Sequence, residues 1–231
     1  IAQTLALKSE RSYLKVTQAL GSEPLKKTQL VVSDRTDIPA VFTMVFPDSQ
    51  IFYDIALPNQ TLGINDYFDI HDWYLTHEFT HVVQLQMKGG AYKHLSSLFG
   101  SSIQPHLTMP VWLKEGLAVY LESKLTPKGR GESTTYKMMM RSAVEENVLD
   151  RSDFARKDTV FTSEYNKWPW NLRSYLLGYY LVRTISKKNP DAIKTLLKEQ
   201  SSAFPFNFSS GLSTIGFSSF DELWNETIQD I

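Results

Sequence analysis

The pattern of apolar and polar positions divides the chain into a short-strand region followed by a helical one. Ala2 to Leu20 carries apolar residues at helical intervals and predicts a first helix. Thr28 to Ser33 (TQLVVS), Ala40 to Phe46 and Gln50 to Leu57 are short runs rich in β-branched and aromatic residues. They predict three strands, the last two separated by a turn at Pro47-Asp48-Ser49. Asp69 to Met87 contains neither Pro nor Gly, opens on Asp69 and Asp72 and stops at Gly89-Gly90, which predicts a helix. Its apolar residues Leu75, Phe79, Val82, Val83 and Leu85 cover most of its surface, as on a helix buried in a larger domain. Met109 to Lys124 is a second such helix, with Pro110 suited to a first turn. Thr134 to Val148, with its three methionines inward, Leu172 to Lys188 and Asp191 to Gln200 predict further helices. Ser219 to Gln229 is the last, opened by a capping-box pair, Ser219 and Glu222. Asp158 to Asn171 reads as loop. Strands first and helices afterwards is an α+β arrangement. The expected division lies near residue 125, between a small mixed N-terminal lobe (1–125) and a mainly helical lobe (126–231), with a cleft between them.

The first buried helix carries His77-Glu78-Phe79-Thr80-His81, an HExxH pattern. At about 100° per residue, positions four apart differ by about 40°, so the two imidazoles point the same way one turn apart. They can occupy two tetrahedral positions of one Zn²⁺, while Glu78 can reach a water on the metal without being a ligand. A histidine pair is more often part of a core than a metal site, so the pattern needs a third ligand. Glu115 supplies it, as a carboxylate inside an otherwise apolar helix, where a charge is costly unless it is paired or binds metal. Glu122, seven residues on and about 10 Å further along the axis, cannot share that ion. It is read as a surface group or as one that steadies a ligand. With His77, His81 and Glu115 holding one zinc per chain, a position remains for water, from which Glu78 takes a proton.

The combination of HEFTH with Trp112-Leu-x-Glu115-Gly116-x-Ala118-x-Tyr120 resembles the gluzincins. These are HExxH metallopeptidases with a glutamate as third ligand, and the likeness is to the peptidase MA-like branch related to thermolysin and the aminopeptidases. The resemblance covers roughly Leu75 to Lys187. It implies a zincin-like fold, a single peptidase MA-like catalytic domain over 1–231, zinc as cofactor and peptide-bond hydrolysis with Glu78 as general base. Tyr175-Leu-Leu-Gly178, followed by Arg183, is similar to the tyrosine motif of this clan and implies Tyr175 as oxyanion donor. An edge strand that pairs with extended substrate is also implied, and Gln50 to Leu57 is the strand expected for it. Thirty-three residues separate His81 from Glu115, more than in compact gluzincins, and are read as an insertion over or beside the cleft. The Val119 position holds no acidic partner for a ligand, so another group must orient the histidines. No Gly-x-Met-Glu-Asn stretch occurs, so the resemblance does not carry exopeptidase activity across. A catalytically inactive zinc-binding or interaction domain is the alternative, and the intact Glu78 argues against it.

Composition narrows the setting. A formal net charge of −1 over 231 residues gives no electrostatic case for nucleic acid. No apolar run is long enough for a transmembrane segment. Absent cysteine excludes thiolate zinc sites and leaves His and carboxylate ligands. The chain begins at Ile1 without Met, so it is expected to be either a mature product or an excised piece of a longer protein, in which additional domains could stand beside it. The lack of cysteine and the resemblance to exported bacterial domains together suggest an extracytoplasmic, periplasmic or secreted setting. The expected partner is a peptide or protein substrate.

Overall fold

The computed structural model describes residues 2–24, 26–35, 37, 40–56, 69–155, 168 and 172–231. Helix α1 (Ala2–Leu20) is followed by three strands, β1 (Gln29–Ser33), β2 (Val41–Met44) and β3 (Gln50–Asp54). The sheet order is β1-β3-β2, with β3 parallel to β1 and antiparallel to β2. Alternation sends Ile51 and Tyr53 of β3 into the core and leaves Phe52 on the other face, stacked on Phe42 with ring centroids 4.8 Å apart. The strand expected at the edge, Gln50 to Leu57, is therefore central. Its backbone from Gln50 to Asp54 is paired on both sides, Leu57 lies outside the described residues, and the edge facing the helices is β2.

Helix α2 (Ile70–Gln86) starts where the sequence predicts. Asp69 caps it, accepting from the amides of His71 and Asp72, and Lys8 of α1 forms ion pairs with Asp69 and Asp72. It buries residues on all sides between α1, the sheet and α4 (Val111–Leu125), as its uniform apolar surface requires. The insertion between α2 and α4 folds as α3 (Gly90–Phe99) and two 3₁₀ turns, Gly100–Ser102 and Pro105–Thr108. Gly89-Gly90, read as a stop, also starts this new helix, with Gly90 at φ 48°. Beyond α4 come α5 (Thr134–Glu145), the short α6 (Ser152–Ala155), α7 (Arg173–Lys188), α8 (Ala192–Gln200), α9 (Phe208–Thr214) and α10 (Phe220–Gln229). Only one of the three successive methionines of α5 is fully inward. Met140 is buried whereas Met138 is exposed, because neighbours on a helix diverge by about 100°. The seven-residue α9 was not expected from its Ser-rich sequence. Of the loop expected at Asp158 to Asn171, only Trp168 lies among the described residues.

One apolar core runs through both halves of the chain. Its axis is the pair α4 and α7, which meet at two glycines. A Cβ on Gly116 would lie 2.2 Å from the backbone carbon of Gly178, and one on Gly178 would lie 2.3 Å from the carbonyl oxygen of Trp112. Both contacts are backbone against backbone, so no side chain can move aside to relieve them. The turn before α4 is tied to α8 through His106, which is fully buried and whose Nε2 donates to the carbonyl of Leu197 at 3.0 Å.

Replacement Gly178→Ala is expected to destabilise the protein by about 2–3 kcal/mol or more, as overpacking of a tight core does. Urea denaturation measures this, and a wild-type midpoint would show that the two helices can part freely. Burial pushes the His106 imidazole down to about 4. Between about pH 4 and 6.5 the imidazole is thus neutral in the fold but protonated in the unfolded chain. Stability is present above about pH 6.5 and falls as the pH drops towards 4, by up to roughly 3 kcal/mol from this group. In His106→Gln this part of the loss, followed by urea midpoints between pH 7 and 4, should be absent.

Candidate metal centre

The i, i+4 spacing on α2 places His77 and His81 on one face, and α4 crosses that face with Glu115. His77 Nε2 and His81 Nε2 lie 3.2 Å apart, and Glu115 Oε2 is 3.3 and 3.4 Å from them. The three atoms form a nearly equilateral triangle. In a tetrahedral zinc site with bonds of roughly 2.0–2.1 Å, neighbouring ligand atoms are about 3.3–3.4 Å apart. Among the described residues the buried Glu115 Oε2 has no hydrogen-bond donor with proper geometry. An acceptor so enclosed is costly unless a cation completes it. The group His77, His81 and Glu115 thus suits a metal ion in atom type, separation and unsatisfied charge. Burial alone would raise Glu115, but the two imidazoles outweigh it and hold its carboxyl well below the usual range, so it is ionised.

The remaining nitrogen of His77 is held from behind. Glu122 lies two turns beyond Glu115 on the same side of α4, and its Oε2 is 2.9 Å from His77 Nδ1. It is not a surface group but fully buried. Arg130, in a 3₁₀ turn after α4 (Arg130–Glu132), donates to both its oxygens, from Nε at 2.8 Å and Nη2 at 2.8 Å. Burial would raise the Glu122 carboxyl, yet Arg130 and then His77 bring it down to about 2. Arg130 Nη2 also lies 2.7 Å from His77 Nδ1. An ionised carboxylate can only accept, so Glu122 favours a proton on His77 Nδ1, and in that neutral tautomer the Nε2 lone pair faces the triangle. Burial and Arg130 would lower His77, but the Glu115 and Glu122 carboxylates beside it raise it to about 9, so metal binding has to displace a proton.

Glu78 points to the other side of the triangle, into an open cleft of about 240 Å³ that it shares with the three metal-suited residues, Thr43 and Phe42 of β2, Leu107, Lys114 and Tyr175. Thr43 Oγ1 donates to Glu78 Oε2 at 2.8 Å. Burial raises the Glu78 carboxyl above its usual value, against the pull of the two histidines and Thr43. Tyr175 opens α7 one turn before Gly178. Its ring is parallel to His77 at 5.9 Å and its hydroxyl engages Glu115, while burial and that carboxylate push its phenol up. Arg183, which the tyrosine motif includes, lies elsewhere. It pairs with Asp230 and packs over Tyr180.

The structure therefore gathers all five expected site residues, His77, Glu78, His81, Glu115 and Tyr175, around one cleft. The sequence reading missed Arg130 and Thr43. The signal for Arg130 was a cation between two glycines just past the second metal-suited helix; Thr43 carried no signal in sequence, because only strand order brings it there. The insertion lies beside the cleft as expected, through Leu107. No helix among the described residues is long and apolar enough to cross a membrane.

Comparison with curated proteins and with solved structures gives no match. The collagenase family of peptidases does match, over residues 63–227, well over half of the chain. The span holds both helices of the metal-suited triangle, Glu122, Arg130 and Tyr175. The chain belongs to the collagenase family of peptidases and is a zinc metallopeptidase.

Proposed function

We propose that this chain hydrolyses peptide bonds of extended polypeptides, with Glu78 as general base and Tyr175 as oxyanion donor, in the manner of a gluzincin. The observation that carries the reading is the triangle of His77, His81 and Glu115 lone pairs with Glu78 beside it in an open cleft. One zinc ion held by those three residues would polarise a water and a substrate carbonyl. Glu78, raised by burial, takes the water proton and returns it to the leaving amine. Thr43 fixes the orientation of that carboxylate, and Glu122 fixes the tautomer of His77. Tyr175, kept protonated, donates from its hydroxyl to the developing oxyanion. Among the described residues β2 has no strand on its outer edge, and Val41 to Thr43 lie along the cleft. An extended substrate that adds to β2 would pass Glu78 with its backbone paired. An inactive zinc-binding domain has no use for a buried, Thr-oriented base, and nothing in the geometry favours it.

Glu78→Gln keeps the shape of the side chain and should retain one zinc per chain while cleavage of a quenched peptide or gelatin falls by roughly 10²–10⁴. Equal rates in both proteins, insensitive to a chelator, would refute the assignment. Tyr175→Phe should lower kcat by roughly 10²–10³ and leave KM within about twofold, as loss of an oxyanion donor does. A change confined to KM would instead make Tyr175 a binding residue.

A further inference from the structure

Arg130 is largely buried beside the centre, and three sets of contacts fix it. Its guanidinium takes both oxygens of Glu122, and its own amide donates to Glu122 Oε1 at 3.0 Å. Its Cζ lies 4.9 Å from the Trp73 ring centroid and 4.8 Å from that of Tyr175. The loop that carries it is pressed flat. A Cβ on Gly129 would stand 2.4 Å from the Ser123 backbone, one on Gly131 would stand 2.1 Å from the Tyr179 ring, and the Gly131 amide donates to Ser123 Oγ at 3.0 Å.

A buried ion pair is seldom worth its desolvation for stability alone, since apolar residues of like volume do as well. Neutralising Glu122 would also need only a point charge. What Arg130 adds is a flat cation, forked onto one carboxylate and laid over the phenol ring. We propose that Arg130 is the positioning residue of Tyr175: bracing itself on Glu122, it holds the phenol beside Glu115 and ties that position to the orientation of His77. The inference rests on the hydrolytic reading above, in which Tyr175 serves the oxyanion. Lysine in its place could keep the charge on Glu122 but could not cover the ring while doing so.

The test compares wild type, Arg130→Lys, Tyr175→Phe and the double variant, each loaded with zinc. Arg130→Lys should fold, hold one zinc per chain and show kcat at least about tenfold lower with KM within about twofold. In the Tyr175→Phe background the same change should alter kcat by less than about threefold, because the residue it positions is already gone. Nitration of tyrosines by tetranitromethane, mapped by peptide mass spectrometry, gives a readout independent of turnover. Tyr175 should react at least about fivefold faster in Arg130→Lys, the other tyrosines unchanged, as a side chain released from its packing does. Wild-type kcat and nitration in Arg130→Lys would overturn the proposal and leave Arg130 as a counter-charge only. A loss of kcat that is equal in both backgrounds would overturn it too. Should the lysine variant not fold, the neutral pair Arg130→Gln with Glu122→Gln decides by the same nitration comparison. If the wild type shows no zinc-dependent cleavage, the hydrolytic reading fails, and nitration still decides whether Arg130 holds Tyr175.

Discussion

The arrangement depends on the contact of two helix backbones. Where α4 and α7 touch at Gly116 and Gly178 there is no room for a methyl group on either side. That contact fixes the distance and the rotation of the two helices about one point. Glu115 precedes the first glycine by one residue, and Tyr175 precedes the second by one turn, so a metal-suited carboxylate and a phenol are delivered side by side by the same constraint. The third helix, α2, is then held by α1, the sheet and α4 with its histidine face towards Glu115. The glycines are thus the spacing device of the centre, and the apolar residues around them make that spacing rigid.

Three glutamates in one small region are pushed apart by their surroundings. Glu115 faces two imidazoles and stays ionised; Glu122 is gripped by Arg130 and falls to about 2; Glu78, which accepts from Thr43, is raised by burial. The same side chain therefore meets three different settings, because burial is offset to a different degree at each place.

Much of this was legible in the residues. The helices α1, α2, α4, α7, α8 and α10 follow from spacing and caps, since long periodic segments with clear ends leave little freedom. The five residues of the cleft follow from two motifs and a short third one. Three things were not legible. The order of strands depends on long-range pairing, which the sequence of β3 does not carry, and both its flanks are occupied. The fate of Glu122 depends on Arg130, eight residues away on a loop, and without that partner a surface glutamate was an equal reading. The helix α3 is amphipathic yet buries none of its residues, so its pattern points to no place in the core. Each miss concerns a partner that local sequence does not contain.

The double hold on His77, by Glu122 at one nitrogen and towards Glu115 at the other, bears on how such a site could be transplanted. HEFTH grafted alone onto a foreign helix would bring two imidazoles free to choose either tautomer and either rotamer. The unit that can be moved intact is larger. It comprises the histidine helix, a second helix with carboxylates two turns apart, the Gly-Arg-Gly loop that closes behind them and the glycine of a third helix that sets the separation. The five-residue motif is a label for that assembly, and the assembly is what a designer would have to copy.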